Sequence, residues 1–368
     1  MNKRDYKIKS VQVKPYNFRL KTPFKIATGE YYDMPGAIIQ VTLEDRTVGF
    51  GEAQAYDTLL NEDSTTILKA VSKVAREIEG KKVFDIAQII DLCEERIPKD
   101  RAAMCGIDMA VYDAAGKASN LPVSYLLGGT SFSVKVNAVL SMGGGKQLMK
   151  NLEIFISKGY KIFKIKIGQD FERELDLIKR VREKVGGGLI IFVDVNTAWK
   201  ETKDALEKIN QLAKFNIAWV EQPLPYDDIE GLKQLKKSSP IPIMLDESLY
   251  TPTDAYRLIS EEAGDMVNIK LSKSGGLYNA LKIAAIAKSA GKEIMLGSNL
   301  ETGLGCLAGY QFAKAVDCIT TAMGVFSLMD NDFKHPLVAK DGYLEVTEEL
   351  AGLGYSYQMN KQLEDLFK

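Results

Sequence analysis

Ile162-Phe-Lys-Ile-Lys-Ile167 alternates apolar with basic residues from Phe163 onward, the pattern of a β-strand. Residues two apart in a strand face the same side, so Lys164 and Lys166 point together. In a parallel barrel that side is an interior packed with branched apolar groups, where two cations are costly unless partners or chemistry require them. Such partners follow in order. Asp194 closes Ile191-Phe-Val-Asp194, Glu221 closes Ala218-Trp-Val-Glu221, Asp246 closes Ile243-Met-Leu-Asp246, and Lys270 closes Val267-Asn-Ile-Lys270.

These runs belong to a longer series. Val134–Val139, Ile162–Ile167, Leu189–Val193, Ile217–Val220, Ile243–Leu245, Met266–Ile269, Glu293–Leu296 and Cys318–Thr321 alternate with amphipathic segments, the grammar of βα units. Eight such runs predict a closed α/β barrel, with the charged residues at the carboxyl ends of the strands, where barrels carry their active sites. Upstream, Ile8–Arg19, Ala37–Leu43 and Thr47–Glu52 read as antiparallel strands, followed by helices over Ser64–Glu79, Phe84–Glu95 and Arg101–Ser119. The small residues of Ala102–Gly116 suit a tightly packed interior helix. Lys25–Pro35 is polar and aromatic, with Gly29 as a hinge, and reads as a lid. After Ala322 the pattern loosens, and Tyr343–Val346 reads as a strand returning to the first domain. The predicted division is 1–125, 126–322 and 323–368.

Composition narrows the function. A chain of 368 residues, 46% hydrophobic and 26% charged, can bury one large core and a smaller one. With 48 basic and 49 acidic residues the net charge is −1, so no broad positive field exists to draw nucleic acid or anionic lipid. No apolar run reaches membrane-spanning length and none follows the opening charges, which predicts a cytoplasmic protein. Cys93, Cys105, Cys306 and Cys318 form no Cys-x-x-Cys pair, which argues against a zinc site or disulfide framework and for free buried thiols. His335 is the only histidine and precedes Pro336, so it reads as a solvated residue of an extended segment. With that one histidine beyond the barrel runs, a Ser-His-Asp triad inside the barrel, a His-Asp dyad and a multi-histidine zinc site are removed, leaving lysine, carboxylate, tyrosine or cysteine as general base.

Asp194, Glu221 and Asp246 offer hard oxygen ligands that suit Mg²⁺, or Mn²⁺, better than zinc, and their mutual repulsion calls for a cation. One acid after a strand is often only a helix N-cap; three in consecutive units are harder to explain that way. Asn196 and Glu247 stand beside them as supporting candidates. Lys164 can serve Lys166, since a neighbouring cation lowers a lysine's pKa and makes it a better base. Lys270 ends the sixth run, across a barrel from the second, so lysines on two faces of one carbon could deprotonate on one side and reprotonate on the other. Lys7-Ile-Lys9 repeats the tripeptide with no acid series behind it, so the meaning lies in position.

With Lys164-Ile-Lys166, Asp194-Val-Asn196, Glu221-Gln-Pro223, Asp246-Glu-Ser248, Asn268-Ile-Lys270 and Gly297-Ser-Asn-Leu-Glu-Thr-Gly303 in this order, the sequence resembles the enolase superfamily, muconate-lactonizing-enzyme subgroup. The Ala102–Gly116 helix and Leu126-Leu-Gly-Gly129 fit too. The resemblance implies an α+β capping domain on a modified (β/α)8 TIM-type barrel, with the lid closing over the site. It implies abstraction of a proton α to a carboxylate through an enediolate stabilised by Mg²⁺. Lys166 and Lys270 become the acid/base pair and Lys164 their auxiliary. Ser298, Asn299 and Glu301 after the seventh strand, Met323 and Val325 after the eighth, and Thr28 and Tyr31 of the lid become candidates to face a small-molecule carboxylate. A homo-oligomer is also implied.

Members of the subgroup include muconate cycloisomerases, o-succinylbenzoate synthases, N-succinylamino acid racemases and dipeptide epimerases, and the lysines do not separate them. Dipeptide epimerases typically carry Asp-x-Asp after the eighth strand to hold the substrate ammonium. Here that place reads Met323-Gly-Val325, and Asp330-Asn-Asp332 follows too late. N-acylated amino acids therefore fit better than free-amine dipeptides, and the lid Ala27–Pro35 also resembles N-succinylamino acid racemases. Three readings compete with a racemase or epimerase: a lyase or cycloisomerase using one lysine, a Schiff-base enzyme in which the three acids lack purpose, and a non-catalytic binding protein that kept the fold.

Overall fold

The computed structural model describes residues 6–26, 29–56, 61–130, 132–141, 144–348 and 350–368. An antiparallel sheet comes first, ordered β1 (Ile8–Ile26), β2 (Gly29–Leu43), β3 (Val48–Gln54). Helices α1 (Ser64–Ile78), α2 (Ile86–Arg96) and α3 (Arg101–Ser119) pack beside it. The composition of α3 follows from how close it lies: a Cβ at Gly49 or Gly51 of β3 would strike the Ala110 or Gly106 carbonyl. Every residue from Ala102 to Gly116 is buried, so the helix has no polar face to spare.

The expected lid is not a loop between strands. Phe24 pairs with Tyr31, Lys25 with Glu30 and Ile26 with Gly29, so Lys25–Pro35 continues the β1–β2 hairpin, after a break in register between Arg19 and Phe24. Thr28 lies outside the described residues.

Eight parallel strands follow: β4 (Ala138–Leu140), β5 (Ile162–Lys166), β6 (Ile190–Asp194), β7 (Ile217–Glu221), β8 (Ile243–Leu245), β9 (Met266–Ile269), β10 (Glu293–Leu296) and β11 (Thr320–Thr321). The curl closes through a single parallel bridge between Val136 and Thr321, with Asn137 N donating to Thr321 O at 2.9 Å and Thr321 N to Lys135 O at 2.8 Å. The first and last strands are thus shorter than their apolar runs, because chain on either side of the seam pairs only at isolated points. Inside, Ile162, Phe192, Trp219, Met244, Met266 and Met295 form an apolar floor, with Phe192 and Trp219 stacked at 4.2 Å between centroids.

Tyr343–Val346 is a strand, β13, but it does not return to the first domain. It pairs with β12 (Leu337–Lys340) and lies against the start of the barrel, where Leu344 N donates to Val134 O at 2.8 Å and Val136 N to Gly342 O at 2.9 Å. Contact with the first domain lies on either side of it: Asp330 N donates to Arg19 O at 2.9 Å and Val123 N to Gly352 O at 2.8 Å, and Asp113 of α3 accepts from Leu353 N at 2.8 Å and the Tyr355 hydroxyl at 2.6 Å. His335 is not a solvated residue either. Its side chain is 13% exposed, packs edge-on against Phe326, and burial pushes its pKa down to about 4. All four cysteines are buried and unpaired. Among the described residues, no helix is long and apolar enough to cross a membrane.

Asp113 also accepts from Phe50 N at 2.9 Å and pairs with Lys117 at 2.8 Å, so one buried carboxylate joins the sheet, its own helix and the C-terminal segment. Removing it would leave several buried donors without an acceptor. Asp113→Ala should cost about 3 kcal/mol in chemical denaturation, and Asp113→Asn, which keeps shape and one acceptor, clearly less.

Candidate active site

Strand register puts the three acids side by side. Lys166 of β5 pairs with Asp194 of β6, and Asp194 with Glu221 of β7. Asp246 follows β8 directly. All three are fully buried, and one oxygen of each lies within 4.8 Å of the others.

Buried charge of that density needs compensation, and lysines supply it. Lys164 Nζ lies 2.9 Å from Asp194 Oδ2 and 2.7 Å from Glu221 Oε1. Lys166 Nζ shares Asp194 Oδ2 at 2.7 Å and donates to Asn196 Oδ1 at 2.8 Å. Lys270 Nζ lies 2.8 Å from Asp246 Oδ2. Burial opposes the charged form of Lys164 and Lys270, yet the carboxylates outweigh it: Asp194 and Glu221 hold Lys164 above its ordinary value, and Asp246 and Glu247 hold Lys270 well above. Lys164 therefore stands as a fixed cation sharing an acid with Lys166.

The carboxylates divide unequally. Burial raises all three, but their lysines overcome it at Asp194 and Asp246, which fall well below the usual carboxylate range. Glu221 is pushed well above it by burial and by Asp194. Glu247 is raised to about 7 by burial, then by Asp246 and Asp194. Glu221 Oε2 and Glu247 Oε2 are buried with no hydrogen-bond partner. An all-oxygen set, with a carboxyl group destabilised by its neighbours and a lone oxygen left over, fits a hard divalent cation.

A cavity of about 720 Å³ opens over these groups. Lys164, Lys166, Lys270, Asn196, Glu247, Ser298, Asn299 and Val325 line it, as does Ala322. Glu301 lies behind the wall, accepting from Ser298 Oγ and from Asn299 N at 3.0 Å. Met323 is buried against Gly309 and does not line the cavity. Tyr31 is not among its lining residues, but its ring stacks at 5.2 Å on Tyr56, which is.

Sequence reasoning missed several residues. Lys273 is fully buried, with Nζ 2.5 Å from Asp246 Oδ1; Leu271–Ser274 is a single helical turn, so a lysine three after Lys270 folds back onto the same acid. Asn268 donates to Glu221 Oε1 at 2.9 Å, and its place two before Lys270 marked it as inward-facing. Gln222 holds the turn after Asp246, accepting from Asp246 N at 2.9 Å and donating to Ser248 Oγ at 2.8 Å. Phe24, Tyr226 and Arg257 at the mouth carried no pattern that pointed there.

The chain matches two family models: the mandelate racemase / muconate lactonizing enzyme N-terminal domain over residues 8–128 and the enolase C-terminal domain-like family over 147–361. It is 33% identical to the N-succinyl-L-Arg/Lys racemase of Bacillus cereus, across 86% of each chain, and the crystal structure of that racemase superposes with a TM-score of 0.92, covering 98% of both. It is 34% identical to the hydrophobic dipeptide epimerase of Enterococcus faecalis, across 86% of this chain and 89% of that one. The muconate lactonizing enzyme of Pseudomonas fluorescens, in complex with muconolactone, is 28% identical with a TM-score of 0.92, covering 99% of this chain and 100% of that one.

Because a ligand that binds only the folded state stabilises it, millimolar Mg²⁺ should raise the melting temperature by several degrees, and Asp246→Asn should remove most of that shift. Lys164→Met should destabilise the metal-free protein more than the Mg²⁺-loaded one, since only the former depends on that cation. Differential scanning calorimetry with and without EDTA reads both.

Proposed function

The chain belongs to the enolase superfamily, and we propose that it is a Mg²⁺-dependent racemase or epimerase acting at the α-carbon of an N-acyl amino acid, N-succinyl derivatives above all. The observation that carries this reading is the pair Lys166 and Lys270. They come from the second and sixth positions of an eight-strand ring, halfway round from each other, and line one cavity with Asp194, Glu221 and Asp246 between them in strand order.

A substrate carboxylate brought to the acids leaves its α-carbon between the two amines. One lysine, in its neutral form, would take the α-proton from its own face, while the other, protonated, returns a proton to the opposite face; the reverse reaction exchanges the roles, and Lys270 would reach its neutral form once a cation engages Asp246, the carboxylate that otherwise holds its proton. Asp194, Glu221 and Asp246 would hold Mg²⁺, which when bound stabilises charge building on the substrate carboxylate, an effect worth several kcal/mol. Lys164 keeps its proton throughout, held by Asp194 and Glu221. Asn196, by accepting from Lys166 Nζ and donating to Glu247 Oε1 at 2.8 Å, fixes the direction of that amine.

The substrate class rests on what lines the cavity beyond the eighth strand. Ala322 and Val325 are apolar, and Asp332 is engaged elsewhere, accepting from Gly303 N at 2.8 Å. The carboxylates that line the cavity, Asp227, Glu247 and Asp254, follow β7 and β8, so a free ammonium beside Ala322 and Val325 would be desolvated without an adjacent counter-charge, whereas an amide needs none. The same reading takes the protein to be cytoplasmic and homo-oligomeric, the latter measurable by light scattering.

A cycloisomerase or lyase is the second reading, since the Pseudomonas fluorescens enzyme superposes as well as the racemase does. In ²H₂O with Mg²⁺, a panel of N-succinyl amino acids and dipeptides should show α-deuterium incorporation and loss of optical rotation. Lys166→Ala and Lys270→Ala should each lower racemisation by about 10³-fold, while each keeps exchange with only one enantiomer. No exchange across the panel would sink the proposal, and a single dispensable lysine would favour the one-base alternatives.

A further inference from the structure

Glu52 lies on β3 of the first domain, yet its carboxylate is buried against the barrel. Oε1 accepts from Thr302 N at 2.9 Å, and Oε2 from Thr302 Oγ1 at 2.6 Å and Gly305 N at 2.7 Å; the Tyr16 hydroxyl lies 2.6 Å from Oε1. Thr302 is the N-cap of the helix Gly303–Ala315, whose next amide, Gly303 N, is taken by Asp332 of the C-terminal segment. Three separate stretches of chain thus meet on one helix start, where free amides and the helix dipole favour carboxylates.

Immediately before Thr302 runs the loop Gly297–Glu301. Leu300 is held at φ +67°, a left-handed conformation that costs free energy for a branched side chain and persists only where its surroundings impose it. The constraint is built from both ends. Glu301 accepts from Ser298 Oγ and Asn299 N, Leu300 N donates to Ser298 Oγ at 2.9 Å, and Glu52 fixes the exit at Thr302. Ser298, Asn299 and Leu300 line the cavity, and Asn299 Nδ2 donates to Ser272 Oγ at 2.8 Å, in the turn that joins Lys270 to Lys273.

We propose that Glu52 is a positioning residue: it sets the cavity wall Ser298–Leu300, and through Asn299 and Ser272 the Lys270 turn, from the first domain, so that the wall takes its working shape only while the two domains are docked. The proposal rests on reading the cavity as the active site. Glu52 touches neither the cavity nor the acids, so it acts wholly through the loop.

Glu52→Gln tests it with little change of shape. Whichever way the amide is turned, its NH₂ faces a backbone N–H, Thr302 N on one side or Gly305 N on the other, and the clamp opens. Amide hydrogen exchange should speed up by about 10-fold or more across 297–305 while β5–β7 keep their protection. The Mg²⁺-induced rise in melting temperature should be unchanged. In the α-exchange assay kcat should fall by about 10- to 100-fold with KM nearly constant, as for a misplaced catalytic geometry. Should Glu52→Gln not fold, Thr302→Val breaks the side-chain half of the clamp and should shift the same readouts in the same direction. A lower melting temperature with unchanged loop exchange and unchanged kcat would overturn the proposal and leave Glu52 a purely structural contact. An inactive parent protein overturns the proposed function instead, and the loop exchange still decides the role of Glu52.

Discussion

Three carboxylates cannot share the dry end of a barrel unless positive charge meets them there, and that constraint organises this molecule. Four lysines approach from two opposite arcs: Lys164 and Lys166 on β5, Lys270 and Lys273 around the end of β9. Because the pairs are buried, removing one partner strands its opposite charge at a cost of several kcal/mol, so the set is kept or lost together. The same arrangement that neutralises the acids puts amines on two sides of the space above them. Charge balance and the placing of amines on two sides come from one arrangement.

A second use of buried acid joins the domains. Asp113 accepts from Phe50 N, Leu353 N and the Tyr355 hydroxyl, and Asp108 accepts from Leu277 N at 2.5 Å, at the start of a barrel helix; within the first domain, Glu62 likewise accepts from Ala102 N at 2.9 Å, at the start of α3. Burial pushes Asp108 up to about 8 and Glu62 up to about 7 even though both accept from backbone amides, so these groups sit uneasily as anions. Directional bonds of this kind fix orientation in a way that apolar packing between Ala- and Gly-rich surfaces does not.

The barrel was legible because its signal is periodic: apolar runs recur at the spacing of a βα unit, and the strands that bear the acids run almost as their sequences suggested, β7 and β6 simply taking in Glu221 and Asp194. The enolase-superfamily motifs were legible for the same reason. What escaped depends on the path of the chain in space. Lys273 follows from a one-turn helix that bends it back, and Glu52 from a domain contact 250 residues away in sequence. His335 was misjudged because proline neighbours say nothing of burial, and Tyr343–Val346 because a short strand does not announce its partner.

The seam at Val136 and Thr321 has a consequence for how such a protein can change over time. Strands β5 and β6, which bear Lys166 and Asp194, share five paired positions, whereas β10 and β11 share two and, among the described residues, the ring closes on one isolated bridge. Ala322 and Val325 stand just past that weakest joint. Substitutions there disturb little of the hydrogen-bonded framework, so that part of the cavity lining is free to drift while the acids and lysines stay anchored by their ion pairs. One scaffold can then carry related activities that differ in the molecules they accept and agree in the bond they break.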